Sequence, residues 1–80
     1  MKTITVLYFA VLREQSGAPQ EEIHTRAATV GDLYHELRTQ HHFTLESANL
    51  RIACNEDFVP LDHVFTSGDT LALMPPMSGG

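Results

Sequence analysis

The 80-residue chain predicts one α+β domain: a mixed β-sheet with a single main helix packed on one face. Three observations carry this. Residues 3–9 alternate with a strand period, Ile4, Val6 and Tyr8 on one side and Thr3, Thr5, Leu7 and Phe9 on the other. Val30, Leu33, Tyr34, Leu37 and His41 recur at helical spacing as one apolar stripe. Further short apolar runs, bounded by turn residues, follow at 50–54 and 70–74. Strands, one helix and strands again leave the sheet covered on one side and open on the other.

The first strand spans 3–9, and its second register ends in Leu7 and Phe9, an apolar patch on whichever face the helix leaves bare. Residues 10–20 contain Arg13-Glu14 and the turn formers Ser16-Gly17-Ala18-Pro19, a loop with room for one helical turn. Glu21 to Arg26 reads as a short strand around Ile23, close enough to the first to form an antiparallel hairpin. Thr29 is a good N-cap, with Asp32 three positions on, so a helix is predicted over 30–42. Glu36, Arg38, Thr39 and Gln40 fill its outer side. Residues 43–49 read as irregular and 50–54 as a strand. Asn55-Glu56-Asp57 turns into a short strand at Phe58-Val59, which Pro60 ends as expected at a sheet edge. Residues 61–65 have the look of a helical turn. Thr66-Ser67-Gly68-Asp69 is a second turn, and 70–74 is the last strand, with Leu71 and Leu73 inward and Met74 outward.

Composition narrows the function. Ten acidic and five basic side chains give a net charge of −5, which repels phosphate backbones and anionic membranes, so neither nucleic acid nor membrane is an expected partner. No apolar run is long enough to span a bilayer, and Thr3 and Thr5 interrupt any signal-peptide core, so a cytoplasmic location is expected. Cys54 is the only cysteine, which excludes an internal disulfide and a multi-thiolate zinc site. With no basic residue adjacent to it in sequence, it reads as a buried, inert thiol. Although five histidines are present, the i, i+4 pairing of zinc-binding helices is missing from His35, His41 and His42, and no metal is expected. Glu21-Glu22 and Glu56-Asp57 read as solvated charge and not as an acid–base pair, and His63 as a turn residue.

The chain ends Pro75-Pro76-Met77-Ser78-Gly79-Gly80. Terminal Gly-Gly occurs by chance in roughly one chain in two hundred at about 7% glycine usage, and by composition alone a frayed end is the plainer reading. The geometry it permits is more specific. Gly79 and Gly80 have no Cβ and can thread a narrow channel, while the diproline favours an extended path. Six such residues reach roughly 19 Å at about 3.1 Å each.

These residues resemble the MoaD-type sulfur carriers, the small subunits of molybdopterin synthase, within the ubiquitin-like β-grasp family. The resemblance runs through Tyr8-Phe9-Ala10 with Arg13-Glu14 and Gly17, Thr29-Val30 with Leu33 and Leu37, and Ala53-Cys54-Asn55. It continues through Asp62-His63, Ser67-Gly68-Asp69 and the whole stretch from Leu71 to Gly80. Pro-Pro-x-Ser-Gly-Gly is its most specific part. Departures are Cys54, where the family often has valine, and Leu73-Met74, where it often has an aromatic pair.

The resemblance implies a ubiquitin-like β-grasp domain over 1–74 and a flexible Gly-Gly tail over 75–80. It implies a sulfur-donating subunit of a sulfurtransferase with no catalytic side chain of its own. In that mechanism an adenylating enzyme of MoeB type uses ATP to convert the Gly80 carboxylate to an acyl-adenylate. A persulfide donor then supplies sulfur, leaving a thiocarboxylate. That group enters a large subunit of MoaE type and passes sulfur to cyclic pyranopterin monophosphate, building the dithiolene of the molybdenum cofactor. No cofactor is bound by the chain itself, Gly79 lets the arm pass, and two small and two large subunits form a heterotetramer. The partner surface it implies is Phe9, Arg13, Phe58 and Met74, with Pro75, Pro76, Met77 and Ser78 leading into the channel. Related chemistries, namely ThiS-like thiamine synthesis, tRNA thiolation and ubiquitin-like protein modification, share the same activation step.

Overall fold

A computed structural model describes residues 1–76. The alternation at the N-terminus forms β1 (Lys2–Tyr8), which buries Ile4, Val6 and Tyr8 and leaves the intervening residues half-exposed on the other side. The strand stops one residue earlier than its pattern, because Ala10 takes a left-handed φ of 53° and turns the chain. A six-residue helix follows, α1 (Val11–Ser16), closed by Gly17 at φ 83°, where the Gly17 N–H donates to the Arg13 carbonyl. The loop expected here is therefore mostly helix, and Leu12, fully buried, is what anchors it.

β2 (Gln20–Thr25) pairs antiparallel with β1, Ile23 opposite Ile4. Thr29 then caps α2 (Val30–His41): its Oγ1 accepts from the Asp32 N–H at 3.1 Å, satisfying one of the helix's orphan amides. Val30, Leu33, Tyr34 and Leu37 are buried as the stripe predicts, and His42 ends the helix in a left-handed turn. A 3₁₀ turn at Ser47–Asn49 leads into β3 (Arg51–Cys54), and the hairpin strand β4 (Asp57–Val59) follows at the sheet edge. Residues 61–65 are not a helical turn. Pro60, Leu61 and His63 instead spend their carbonyls on the His63, Gly31 and Val30 amides, and Val64 bridges Thr29, so this segment caps the start of α2. β5 (Thr70–Met74) completes a five-stranded sheet of order β2-β1-β5-β3-β4.

β1 and β5 are parallel, whereas β5 with β3, β3 with β4, and β1 with β2 are antiparallel. One core lies between the sheet and α2, formed by Ile4, Val6, Tyr8, Ile52, Leu71 and Leu73 below and the helix stripe with Phe43 and Phe65 above. This is the β-grasp arrangement. Phe43 belongs to a segment read as irregular, yet it is 3% exposed and stacks on Tyr34 at 5.9 Å.

One polar cluster fastens the helix end to the sheet. The Tyr8 hydroxyl donates to Glu21 Oε1 at 2.6 Å, and His41 Nε2 lies 3.0 Å from the same oxygen, with the His41 ring edge-on to Tyr8. Glu21 is thus not simply solvated charge. Toward the other end of β2, Thr25 Oγ1 accepts from the Ala27 N–H and donates to Glu36, so Glu36 is also a tether. Burial first, and the Glu21 carboxylate second, push the Tyr8 hydroxyl well above its ordinary value of 10.0. The folded state therefore holds this proton more tightly than the unfolded chain, and the resulting stability is complete below pH 10 and declines as pH rises beyond it. Tyr8→Phe should lower the unfolding free energy by about 1–2 kcal/mol in urea titrations. It should also make the decline above pH 10.0 shallower than in the parent, with Tyr34, likewise raised by burial, accounting for the remainder.

Candidate functional site

Successive strand residues point to opposite faces, so the inward set fixes the outward one. With Ile52, Cys54, Leu71 and Leu73 in the core, Arg51, Ala53, Thr70, Ala72 and Met74 face away from α2. Strand register arranges them in rows. Leu7 stands beside Ala72, Ala72 beside Ala53 and Ala53 beside Phe58, a continuous uncharged row across four strands. Met74 stands beside Arg51 in a parallel row, and the Phe9 N–H donates to the Leu73 carbonyl at 3.1 Å, which holds Phe9 at the same end of the sheet.

The directly opposed Ala53 and Ala72 leave space where larger side chains would meet. The result is an open depression of about 530 Å³ between Leu7, Phe9 and the Asn55-Glu56 turn. Phe9 and Phe58 are 46% and 66% exposed, an unusual cost for large aromatics on a chain this small. A second, more polar depression of about 400 Å³ lies at the root of the tail between Asn49, Arg51, Phe58 and Pro76. There the Arg51 guanidinium lies 5.9 Å from the Phe58 ring centre.

Phe9, Phe58 and Met74 are therefore brought to one face, with Pro75 half-buried and Pro76 exposed beside them. Arg13 is exposed on α1, outside these rows. Met77, Ser78, Gly79 and Gly80 lie outside the described residues. Ala53, Ala72 and Arg51 escape a sequence-level search, because each matters only through its cross-strand neighbour. The alternation Thr70-Ala72-Met74 is the one linear signal of their shared face.

The far end of the face is locked by side chains. Asn55 and Glu56, at φ 50° and 78°, form a two-residue left-handed turn between the paired Cys54 and Asp57. Asp69 Oδ2 accepts from the Thr66 N–H at 2.9 Å, its Oδ1 accepts from Asn55 Nδ2 at 3.0 Å, and Asn55 Oδ1 accepts from the Thr70 N–H at 2.9 Å. These bonds, the one from Thr66 foremost, hold the Asp69 carboxyl below its ordinary value. The Cys54 thiol is raised by burial and then by Asp69, whose carboxylate it faces at 3.5 Å. Among the described residues no three His, Cys, Asp or Glu side chains converge as metal ligands. Nor is any helix there long and apolar enough to cross a membrane. The arrangement is suited to binding a protein surface and to presenting whatever follows Pro76.

Comparison with known proteins agrees with this geometry. The ThiS family profile matches residues 6–80. The molybdopterin synthase sulfur carrier subunit of Escherichia coli is 36% identical over 80 aligned residues, covering 96% of this chain and 99% of that one. Among solved structures, a chain described as molybdopterin converting factor subunit 1 of Pyrococcus furiosus superposes with a TM-score of 0.79 at 30% identity, covering 96% of this chain and all of that one. SAMP1 of Haloferax volcanii superposes with a TM-score of 0.77, also at 30% identity, covering 98% and 99%.

The Asp69 lock gives an acid-side expectation. Because its folded value lies below the unfolded 3.8, its stabilisation is complete above pH 3.8 and is lost as pH falls below it. Asp69→Ala should cost about 1 kcal/mol at neutral pH, seen as roughly 4–8 °C in melting temperature for a domain of this size. The difference from the parent should narrow as pH is lowered through 3.8 in a melting series.

Proposed function

This chain belongs to the ThiS family, and from that premise we propose that it is the sulfur-carrier small subunit of a molybdopterin synthase. The observation that carries the reading is where the tail leaves the fold. β5 ends at Met74, beside Phe9 and Arg51, so Pro75 and Pro76 leave from the rim of a broad apolar face. Residues 1–74 would then serve as the body and 75–80 as the reactive arm.

The chemistry asks nothing of the side chains. A carboxylate is a poor electrophile, so the Gly80 carboxylate is first joined to AMP by a partner that spends ATP. Persulfide sulfur then displaces AMP to give an acyl disulfide with its donor, a thiol reductant cleaves that S–S bond, and the thiocarboxylate so released is the nucleophile that gives sulfur to a cyclic pyranopterin phosphate. The chain's −5 charge fits this division, because the anion-binding pocket then lies on the large subunit. Phe9, Phe58 and Met74 are the proposed contacts with that subunit, Arg13 a polar one, and Pro75 to Ser78 the segment that enters its channel. Assembly into two small and two large subunits completes the proposal. The small subunit contributes the sulfur-bearing group and the large subunit the binding site. Similarity to SAMP1 favours a second reading, a protein modifier that joins Gly80 to lysines.

Removing Gly80 should abolish both the thiocarboxylate and dithiolene formation in reconstitution with the large subunit, while thermal melting stays unchanged. Intact mass with fragmentation should localise one oxygen-to-sulfur replacement to Gly80 in protein charged by its activating enzyme. Gly-Gly remnants on lysines in cell extracts, with no dithiolene made, would favour the modifier instead. Phe9→Asp should weaken association with the large subunit by roughly tenfold or more, the scale of losing one anchoring aromatic, and calorimetric titration checks it.

A further inference from the structure

The outer face is polarised along its length. Arg51 stands at the tail end of β3, level with Met74, and Glu56 stands at the hairpin end, where it lines the depression, while Asp57, paired with the inward Cys54, belongs to the other side of the sheet. About 13 Å of strand, at roughly 3.3 Å per residue, separates Arg51 from Asn55. Between the two ends runs the uncharged row of Leu7, Ala72, Ala53 and Phe58. Arg51 and Glu56 are both exposed, whereas Lys2 donates to the Ala27 and Ala28 carbonyls and Arg38 to that of Phe43. Contact with the Phe58 ring keeps the Arg51 guanidinium on the face.

We infer that these end charges set the direction in which a partner docks. The partner this face fits is a protein carrying an apolar side chain for the Ala53-Ala72 depression, a carboxylate against Arg51, and a lysine or arginine against Glu56. An apolar depression by itself accepts a partner either way round. Turning such a partner by half a revolution about the face normal sets cation against Arg51 and carboxylate against Glu56, and like-charge contact disfavours that orientation strongly. Direction matters because the tail leaves only from the Arg51 end, so only one orientation brings Gly80 to the partner's site. The inference rests on the sulfur-carrier reading above and extends it to the charge pattern of the partner.

The test measures association of the full chain with the molybdopterin synthase large subunit of the same organism, at low and high salt. Arg51→Glu and Glu56→Lys should each weaken binding about tenfold or more at low salt, chiefly through the association rate, with the difference shrinking at high salt. Arg26→Glu is the control: it makes the same change in net charge as Arg51→Glu, just past the Thr25 end of β2, which pairs with the start of β1 and so lies opposite the tail root. It should bind within about twofold of the parent, as expected for a charge outside the interface. All three positions are exposed, so unchanged melting curves verify the fold. An Arg51→Glu effect no larger than that of Arg26→Glu, or a Glu56→Lys chain that binds as well as the parent or better, overturns the inference and leaves the sulfur-carrier reading standing. Failure of the unsubstituted chain to bind the large subunit overturns both.

Discussion

Parallel pairing of the first strand with the last is the constraint from which the rest of this fold follows. Parallel neighbours cannot be joined by a hairpin and need a long crossover, and here the crossover is everything between Phe9 and Asp69. Val6 beside Leu71 and Tyr8 beside Leu73 place fully buried side chains at the centre of the sheet. The intervening chain must then lay α2 over them. Because β5 lies between β1 and β3, its end is held by backbone hydrogen bonds on both sides, so the tail leaves from an interior strand and not from a frayed edge. Such a root gives the arm a fixed origin on the outer face.

A domain of this size buries little surface to spare, and polar contacts at the sheet ends do some of the fastening that a larger core would do. Tyr8, Glu21 and His41 tie β1 and β2 to the last turn of α2. At the opposite end of β1, the Thr3 amide donates to Ser67 Oγ and the Gly68 amide to the Thr3 carbonyl, tying the strand's start to the turn before β5. The outer face sits between these locks. Its concavity is set by Ala53 and Ala72, opposed on the paired strands β3 and β5.

Much of this was legible in the sequence because the signals were local. The Ile4-Val6-Tyr8 alternation, the Thr29 cap with its apolar stripe, and the inward Leu71 and Leu73 each depend on a few neighbouring residues, and each stands where its pattern puts it. What did not show was decided by distant partners. Leu12 buries against the core and makes a helix of a segment rich in turn formers. Residues 60–63 close one tight turn, but the Leu61 and His63 carbonyls accept from the first amides of α2, so the segment does not continue as a helix. Glu21 looks like one of two solvated acids until Tyr8 and His41 are folded onto it. The proposed contact residues Phe9, Phe58 and Met74 could be named from their outward register and the family resemblance. That Ala53 and Ala72 oppose each other between them is a fact of register alone.

The burial of Cys54 bears on the proposed chemistry in a way that packing alone does not require. A protein whose C-terminus is carried as an acyl-adenylate and then exchanges sulfur with a persulfide meets two electrophiles that any thiolate would attack. A reactive thiol on its own body would divert both. Cys54 is 7% exposed, faces the Asp69 carboxylate, and has Asp57 nearby, and each of these raises its pKa and keeps it in the neutral, poorly nucleophilic form. The Asp69 carboxylate that locks the hairpin end of the outer face therefore also silences the chain's one thiol, so that in the proposed chemistry the terminal glycine would act without competition from within the protein.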